Sequence, residues 1–128
     1  MNNQFLISYR ELRVYQTAFD NALLIFERSQ EFPSDSQAQL AIPVVKSSRL
    51  VCINIAQAWQ KRRYQSAFIA KLNQAETEAA TTQVWIEFAV LCDYLDAETG
   101  QELHRSYQEV LADLAQLVKH SAAWVKQG

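Results

Sequence analysis

The sequence contains few of the residues that form turns, crosslinks or metal sites. Its 128 residues include only two glycines, two prolines, two cysteines and two histidines. So few turn formers disfavour the many short connections of a β-sandwich or barrel. The two cysteines, Cys52 and Cys92, are too few for a disulfide scaffold and are expected to pack as small core residues. The composition therefore predicts long helices with few connections.

Motifs for catalysis and metal binding are also missing. A di-metal site in a helical bundle needs Glu-x-x-His pairs, but Gln101 and Leu117 stand three residues before His104 and His120. Two glycines cannot build a nucleophile elbow or a phosphate loop. The apolar segments around the cysteines disfavour a reactive thiolate. We expect no metal, no cofactor and no enzymatic activity.

No apolar run reaches the roughly 18 residues that span a membrane. The start, "MNNQFLISYRELR", lacks the basic, apolar and small-residue regions of a secretory signal. The length fits a single domain over residues 1–128. We expect a cytoplasmic protein with no membrane partner.

Apolar residues recur at spacings of three and four in four segments, which places them on one face of each of four helices. Ser8 and Glu11 form a capping box, so the first helix is predicted to begin at Ser8 and to end before Pro33. Its predicted core face consists of Leu12, Tyr15, Phe19, Ala22 and Phe26.

The second helix is predicted to carry Pro43 in its first turn, where the missing N–H costs nothing. Residues 34–41 fit a loop, a short helical turn or the start of a kinked helix. The predicted core face is Val44, Ser48, Val51, Ile55 and Ala58.

The third and fourth helices are separated by a break at residues 96–100, and Thr99 with Glu102 forms a second capping box. The third face is Phe68, Leu72, Ala75, Ala79, Thr82, Ile86 and Ala89. The fourth is Leu103, Tyr107, Val110, Leu114, Leu117, Ser121 and Trp124. With the second connection near residues 60–66, this pattern predicts an all-α, up-down-up-down antiparallel four-helix bundle.

The helices carry more apolar surface than one core seam needs. The additional residues are Val14, Ala18, Ile25, Val45, Cys52, Ala56, Trp59, Ile69, Trp85 and Phe88. A wide core stripe is one explanation. We favour a second buried face in a homo-oligomer, with Trp59 and Trp85 as its anchors, because aromatic residues are enriched at interface centres.

Several short matches occur in the order and spacing of a known family. They are "YRELRVYQ" at 9–16, "FP" at 32–33, "NIA" at 54–56, Phe68 and "DYL" at 93–95. The chain resembles the four-helix bundle proteins encoded in intervening sequences of bacterial 23S rRNA genes. It departs where the family has Glu-Gly after Asn-Ile-Ala (Gln57 and Ala58 here) and Ala-Ala in helix 2 (Ser47 and Ser48 here).

The resemblance implies a homopentamer of bundles without catalytic activity. A similar bundle is the accessory protein of diversity-generating retroelements, where it is associated with a reverse transcriptase and nucleic acid. By this analogy the expected partners are other copies of the chain, RNA or single-stranded DNA, and a protein such as a reverse transcriptase.

Asn54, within the matched "NIA", is a polar residue on an apolar helix face. If buried, its amide needs a hydrogen-bond partner. We expect a structural hydrogen bond between helices, and the alternative is contact with a ligand.

The charges are unevenly distributed along the chain. No acidic residue occurs between Asp35 and Glu76, a span that contains Lys46, Arg49, Lys61, Arg62, Arg63 and Lys71. This basic helix 2–3 hairpin predicts contacts to nucleic-acid phosphates, with Tyr64 and Trp59 available to stack on bases. The alternatives are a solvated helix end, or cations paired with acids of helices 1 and 4. The protein would then be a structural module that docks a protein partner.

Overall fold

Four long helices make up most of residues 8–125, the part of the chain described by the computed structural model. They are α1 (Arg13–Ser29), α2 (Ile42–Gln60), α3 (Gln65–Leu91) and α4 (Ala97–Lys119), followed by a short α5 (Ser121–Trp124). Each long helix packs against two others in a closed cycle, and residues 8–125 contain no strand. The predicted all-α, up-down-up-down bundle is confirmed. The expectation about a secretory signal falls partly on residues 1–7, which lie outside the described region.

The core faces of α2 and α3 match the predicted stripes. Every residue named for these two faces is buried, from Val44 to Ala58 in α2 and from Phe68 to Ala89 in α3. The small side chains of Ser47 and Thr82 let α2 and α3 approach closely, and their hydroxyl oxygens lie 2.8 Å apart. In α4, the buried residues Leu103, Tyr107, Val110 and Leu114 complete the core.

The predicted core face of α1 is partly wrong. Phe19 and Phe26 are 43% and 40% exposed, whereas Val14, Ala18 and Ile25 are buried. α1 carries two apolar stripes about one residue apart in helical rotation, roughly 100°. The stripe with the smaller side chains packs into the bundle, so the larger aromatic side chains lie on its surface.

Residues 34–41 are helical rather than a loop. A 3₁₀ turn at Ser34–Ser36 leads into a π-helical turn at Gln37–Ala41, which continues directly into α2. The N–H of Ile42 donates to the carbonyl of Gln37, five residues earlier. Such a wide turn accommodates Pro43, since proline has no N–H and its ring crowds the carbonyl four residues before it.

The capping boxes define different helix starts from those predicted. Ser8 caps the 3₁₀ turn Tyr9–Glu11, and α1 begins later, at Arg13. The cap of α4 is Asp96, three residues before the predicted cap Thr99, and its carboxylate accepts hydrogen bonds from both the N–H and the hydroxyl of Thr99.

Gly100 therefore lies inside the first turns of α4 rather than in a break. A β-carbon at this position would overlap Cγ2 of Val90. The glycine is required because α3 and α4 approach each other closely there.

Trp59 is a core residue of its own chain rather than an anchor between subunits. Its side chain is only 3% exposed and packs edge-on against Trp124, with ring centroids 5.7 Å apart. Asn54 is also buried, but its amide donates to the Leu50 carbonyl of its own helix at 2.8 Å. This bond replaces the predicted one between helices.

Candidate nucleic-acid interface

The chain reverses direction between α2 and α3 within four residues, three of which are cations. The N–H of Lys61 donates to the carbonyls of Gln57 and Ala58, which ends α2. The N–H of Tyr64 donates to the Lys61 carbonyl at 3.0 Å, and α3 begins at the next residue. This α2–α3 turn (residues 61–64) concentrates its charges at one end of the bundle.

The three cations of the turn have different surroundings. Lys61 and Arg63 are exposed, as is Tyr64 at 63%. Arg62 is half-buried over the Trp59 ring, with its guanidinium carbon 4.0 Å from the ring centroid, and it donates to the Trp59 carbonyl at 2.9 Å. Burial also lowers the pKa of Arg62. Arg62 therefore supports the helix end, and Tyr64, not Trp59, is the aromatic side chain available for stacking.

The six cations of the predicted basic hairpin do not form one patch. Lys46 lies 15 residues before Lys61 on α2, a separation of about 22 Å along the helix axis. Arg49 lies over the Phe26 ring at 5.1 Å, on the side facing α1. Lys71 is two turns into α3, where its ammonium lies 3.4 Å from the side-chain oxygen of Gln74.

Other elements add cations to the end of the bundle that holds the α2–α3 turn. In an up-down-up-down bundle the start of α1 and the end of α4 lie at this same end, which brings Arg10, Arg13 and Lys119 to it. Arg13 is partly neutralised by Asp113 at 3.6 Å. The search for basic residues along the sequence missed these three, although the predicted topology was the signal that could have found them.

None of the six predicted cations forms an ion pair with a carboxylate of residues 8–125. Residues 8–125 contain three ion pairs, and these join Arg13 to Asp113, Arg28 to Asp96 and His104 to Glu87. The alternative in which the hairpin cations pair with acids of helices 1 and 4 is therefore not observed. Unpaired cations at one end of a bundle produce a positive potential there.

Large apolar side chains are exposed on three of the four long helices. In the described region these are Phe19, Leu23, Phe26, Ile42, Ile53, Val84, Phe88 and Leu91, and Tyr64 is exposed in the α2–α3 turn. None of them lies on α4. Trp85, the second predicted interface anchor, is half-buried on α3, with its ring centroid 6.1 Å from that of Phe88.

The described residues offer little to nucleophilic or metal chemistry. Residues 8–125 contain no group of three His, Cys, Asp or Glu side chains that could hold a metal ion. Burial raises the pKa of the Cys52 thiol from 9.0 to about 11, so a thiolate is disfavoured at neutral pH. The prediction that Cys92 also packs in the core is wrong, because it follows the last residue of α3 and is exposed. None of the helices in the described part of the chain is long and apolar enough to span a membrane.

Comparison with known proteins gives a family and a fold. The sequence model of the family described as 23S rRNA-intervening sequence protein matches residues 10–116. The chain is also similar to a crystal structure of a protein of unknown function from the S23 ribosomal protein family of Bacteroides thetaiotaomicron VPI-5482. The TM-score is 0.75 at 20% identity, with 93% of this chain and 99% of that chain covered. No curated protein matches.

Proposed function

The chain belongs to the 23S rRNA-intervening sequence protein family, and on that premise we propose that it is a non-enzymatic, cytoplasmic, homo-oligomeric bundle that binds nucleic-acid phosphates. The binding site is the cationic end of the bundle around the α2–α3 turn. The observation that carries the proposal is the exposure of Lys61 and Arg63, without carboxylate partners in the described region, beside the exposed ring of Tyr64.

These groups suit contacts to a nucleic-acid backbone rather than to base edges. Ammonium and guanidinium groups bind phosphates without reading the sequence. Tyr64 adds a flat surface on which one base can stack, and stacking is tolerant of base identity. Binding should therefore discriminate poorly between sequences and weaken steeply as salt is raised.

The test is titration of labelled single-stranded RNA and DNA at low and at physiological salt. In the variant, Lys61 and Arg63 are both replaced by Gln while Arg62 is retained, because Arg62 supports the helix end. Each lost phosphate contact should lower the log–log salt slope by roughly 0.7 to 0.9. The matched control replaces Lys46 and Arg105 by Gln, which removes the same charge far from the turn. Absence of binding at low salt, or equal loss in both variants, would reject this site.

The oligomer is supported by the apolar residues exposed on α1, α2 and α3. Five copies are expected from the family resemblance, and light scattering at micromolar concentration measures the number. Trp85→Glu should dissociate the assembly with helicity retained, whereas Trp59→Glu should unfold the chain because Trp59 is buried. A stable wild-type monomer would reject the oligomer.

A second candidate function is a module that docks a protein partner, such as a reverse transcriptase. It is favoured by the same apolar exposure, since large exposed apolar patches mark interaction surfaces. It becomes the better explanation if the protein is monomeric and binds no nucleic acid at low salt.

A further inference from the structure

An apolar groove runs between α1 and α2 on the outside of the bundle. The α1–α2 groove has a volume of about 530 Å³. Its main walls are Tyr15, Phe19, Leu23 and Phe26 from α1 and Cys52, Ile53 and Ala56 from α2. Arg49 is its one lysine or arginine lining residue, and no carboxylate lines it in the described region. A neighbouring depression of about 430 Å³ shares Phe26, Arg49 and Ile53 with the groove and adds Lys46.

Arg49 is exposed and has no acidic partner within residues 8–125. Its guanidinium lies over the Phe26 ring, so it is part of the apolar surface rather than directed away from it. A partner that covered the groove would remove Arg49 from water. Such a partner must bring a carboxylate, because burying an unpaired charge is costly.

The outer face of α3 carries the complementary features. Val84, Phe88 and Leu91 follow one another at spacings of four and three, and they are 49%, 52% and 80% exposed. This α3 stripe (Val84, Phe88 and Leu91) is about 10 Å long, two turns of helix. Glu87 lies beside it and is exposed. An apolar helical stripe of this kind is what a groove between two helices accepts.

The distribution of charge favours contact between the groove of one copy and the stripe of another over contact between two grooves or two stripes. Residues 36–75, which include all of α2, carry six Lys or Arg and no acid. Residues 76–104, which include the stripe, carry seven acids and no Lys or Arg. Groove against groove would bring two Arg49 side chains together, because Arg49 is the charged residue that lines the groove, and stripe against stripe would bring two Glu87 carboxylates together. Only a head-to-tail contact between two copies brings the opposite charges together.

We propose that the α1–α2 groove of one copy receives the α3 stripe of a second copy, with Arg49 facing Glu87 across the contact. This rests on the homo-oligomer of the proposed function and specifies which surfaces form it. The nucleic-acid site at the α2–α3 turn uses different residues, so the two can be tested separately.

The experiment is a charge swap followed by light scattering over a range of protein concentrations. Arg49→Glu and Glu87→Arg should each weaken association by about tenfold or more, because each places like charges in the contact. The double swap should recover most of the loss. The matched controls, Arg105→Glu and Glu109→Arg, make the same charge changes on α4 and should leave the mass unchanged. His104→Gln should also leave it unchanged, which shows that the 3.8 Å contact of Glu87 with His104 is not the cause.

The outcomes separate the two proposals. If the wild type is oligomeric and neither single change weakens it, the groove–stripe contact is wrong and the oligomer stands. If both singles dissociate the assembly but the swap does not restore it, Arg49 and Glu87 do not face each other. A monomeric wild type would reject both the homo-oligomer and the groove–stripe contact. Far-ultraviolet circular dichroism on every variant shows whether a lost mass reflects dissociation or unfolding.

Discussion

The guanidinium of Arg62 lies over the ring of Trp59, with its central carbon 4.0 Å from the ring centroid and Nη1 2.9 Å from the Trp59 carbonyl oxygen. The Arg62 side chain thus covers the last turn of α2 and donates a hydrogen bond to one of its terminal carbonyl oxygens. Of the three consecutive cations, the middle one is a structural residue. Its two neighbours remain available to a ligand.

Arg62→Gln should lower the free energy of unfolding by about 1–2 kcal/mol, from the lost cation–π contact and hydrogen bond. Chemical denaturation measures this. The same variant should leave the salt slope of nucleic-acid binding close to that of the wild type. A lowered slope without loss of stability would instead place Arg62 on a phosphate.

Gly100→Ala should destabilise the protein by about 1 kcal/mol, even though alanine favours a helix by roughly that amount. The reason is the approach of the new β-carbon to Val90. In a Val90→Ala background the same change should become stabilising, because the obstructing methyl group is gone. A double-mutant cycle by thermal or chemical denaturation measures the coupling. An unchanged sign in the second background would show that Val90 is not the obstacle.

Asp93→Gly should raise the free energy of unfolding by about 0.5–1 kcal/mol. Asp93 has φ 62° at the end of α3, where the N–H groups of Asp93 and Tyr94 donate to the carbonyls of Val90 and Ala89. This left-handed position favours glycine, which has no β-carbon to clash there. Asp93→Asn is the control and should be near neutral, since Asn also tolerates this conformation. A lower free energy of unfolding for Asp93→Gly would show that the left-handed backbone at Asp93 is not strained.

Stability should fall in alkali because of Cys52. Its pKa is raised by burial from 9.0 to about 11, so below pH 9 the thiol is protonated in both states and has no effect. Between about pH 9 and 11 only the unfolded chain loses the proton, and the free energy of unfolding falls by about 1.4 kcal/mol per pH unit. Cys52→Ala should remove this slope between about pH 9 and 10, while Cys92→Ala, on the surface, should retain it. Above about pH 10 both variants should still lose stability, because burial also raises the pKa of Tyr107 and Tyr15. Denaturation at a series of pH values decides between them.

Tyr107→Phe should raise stability by about 1 kcal/mol. The Tyr107 side chain is fully buried, and its hydroxyl has no hydrogen-bond partner within residues 8–125. Removing an unsatisfied buried hydroxyl relieves a desolvation penalty while the ring keeps its packing. A loss of stability would show that the hydroxyl has a partner in solution.

Spacings of three and four predicted the buried faces of α2 and α3, although both helices also carry exposed apolar residues such as Ile53 and Phe88. The buried face of α1 could not be predicted in the same way, because its two apolar stripes, one through Phe19 and one through Ala18, are equally periodic. Which stripe packs inward depends on the space left by the other helices, and periodicity does not contain that information. The start of α4 was misplaced for a similar reason: Asp96 and Thr99 are both good caps, and only the fold shows which one accepts the hydrogen bonds.

The sequence predicted where the candidate site lies but not which side chains are accessible in it. The absence of acids between Asp35 and Glu76 correctly marked unpaired cations. Whether a given cation is free depends on distances across the fold, so the sequence did not show that Arg62 lies over Trp59 or that Trp59 is buried. The exposure of Tyr64 likewise follows from the turn rather than from residue type.

The uneven placement of charge along the bundle gives each subunit an electric dipole parallel to the helices. Lys61 and Arg63 lie at one end, and acids such as Asp93, Asp96 and Glu98 lie at the other. In the proposed cyclic assembly the components of these dipoles along the ring axis would add, because rotation about that axis leaves them unchanged. The ring would have two unlike faces, and an anionic polymer would approach one of them and be repelled by the other.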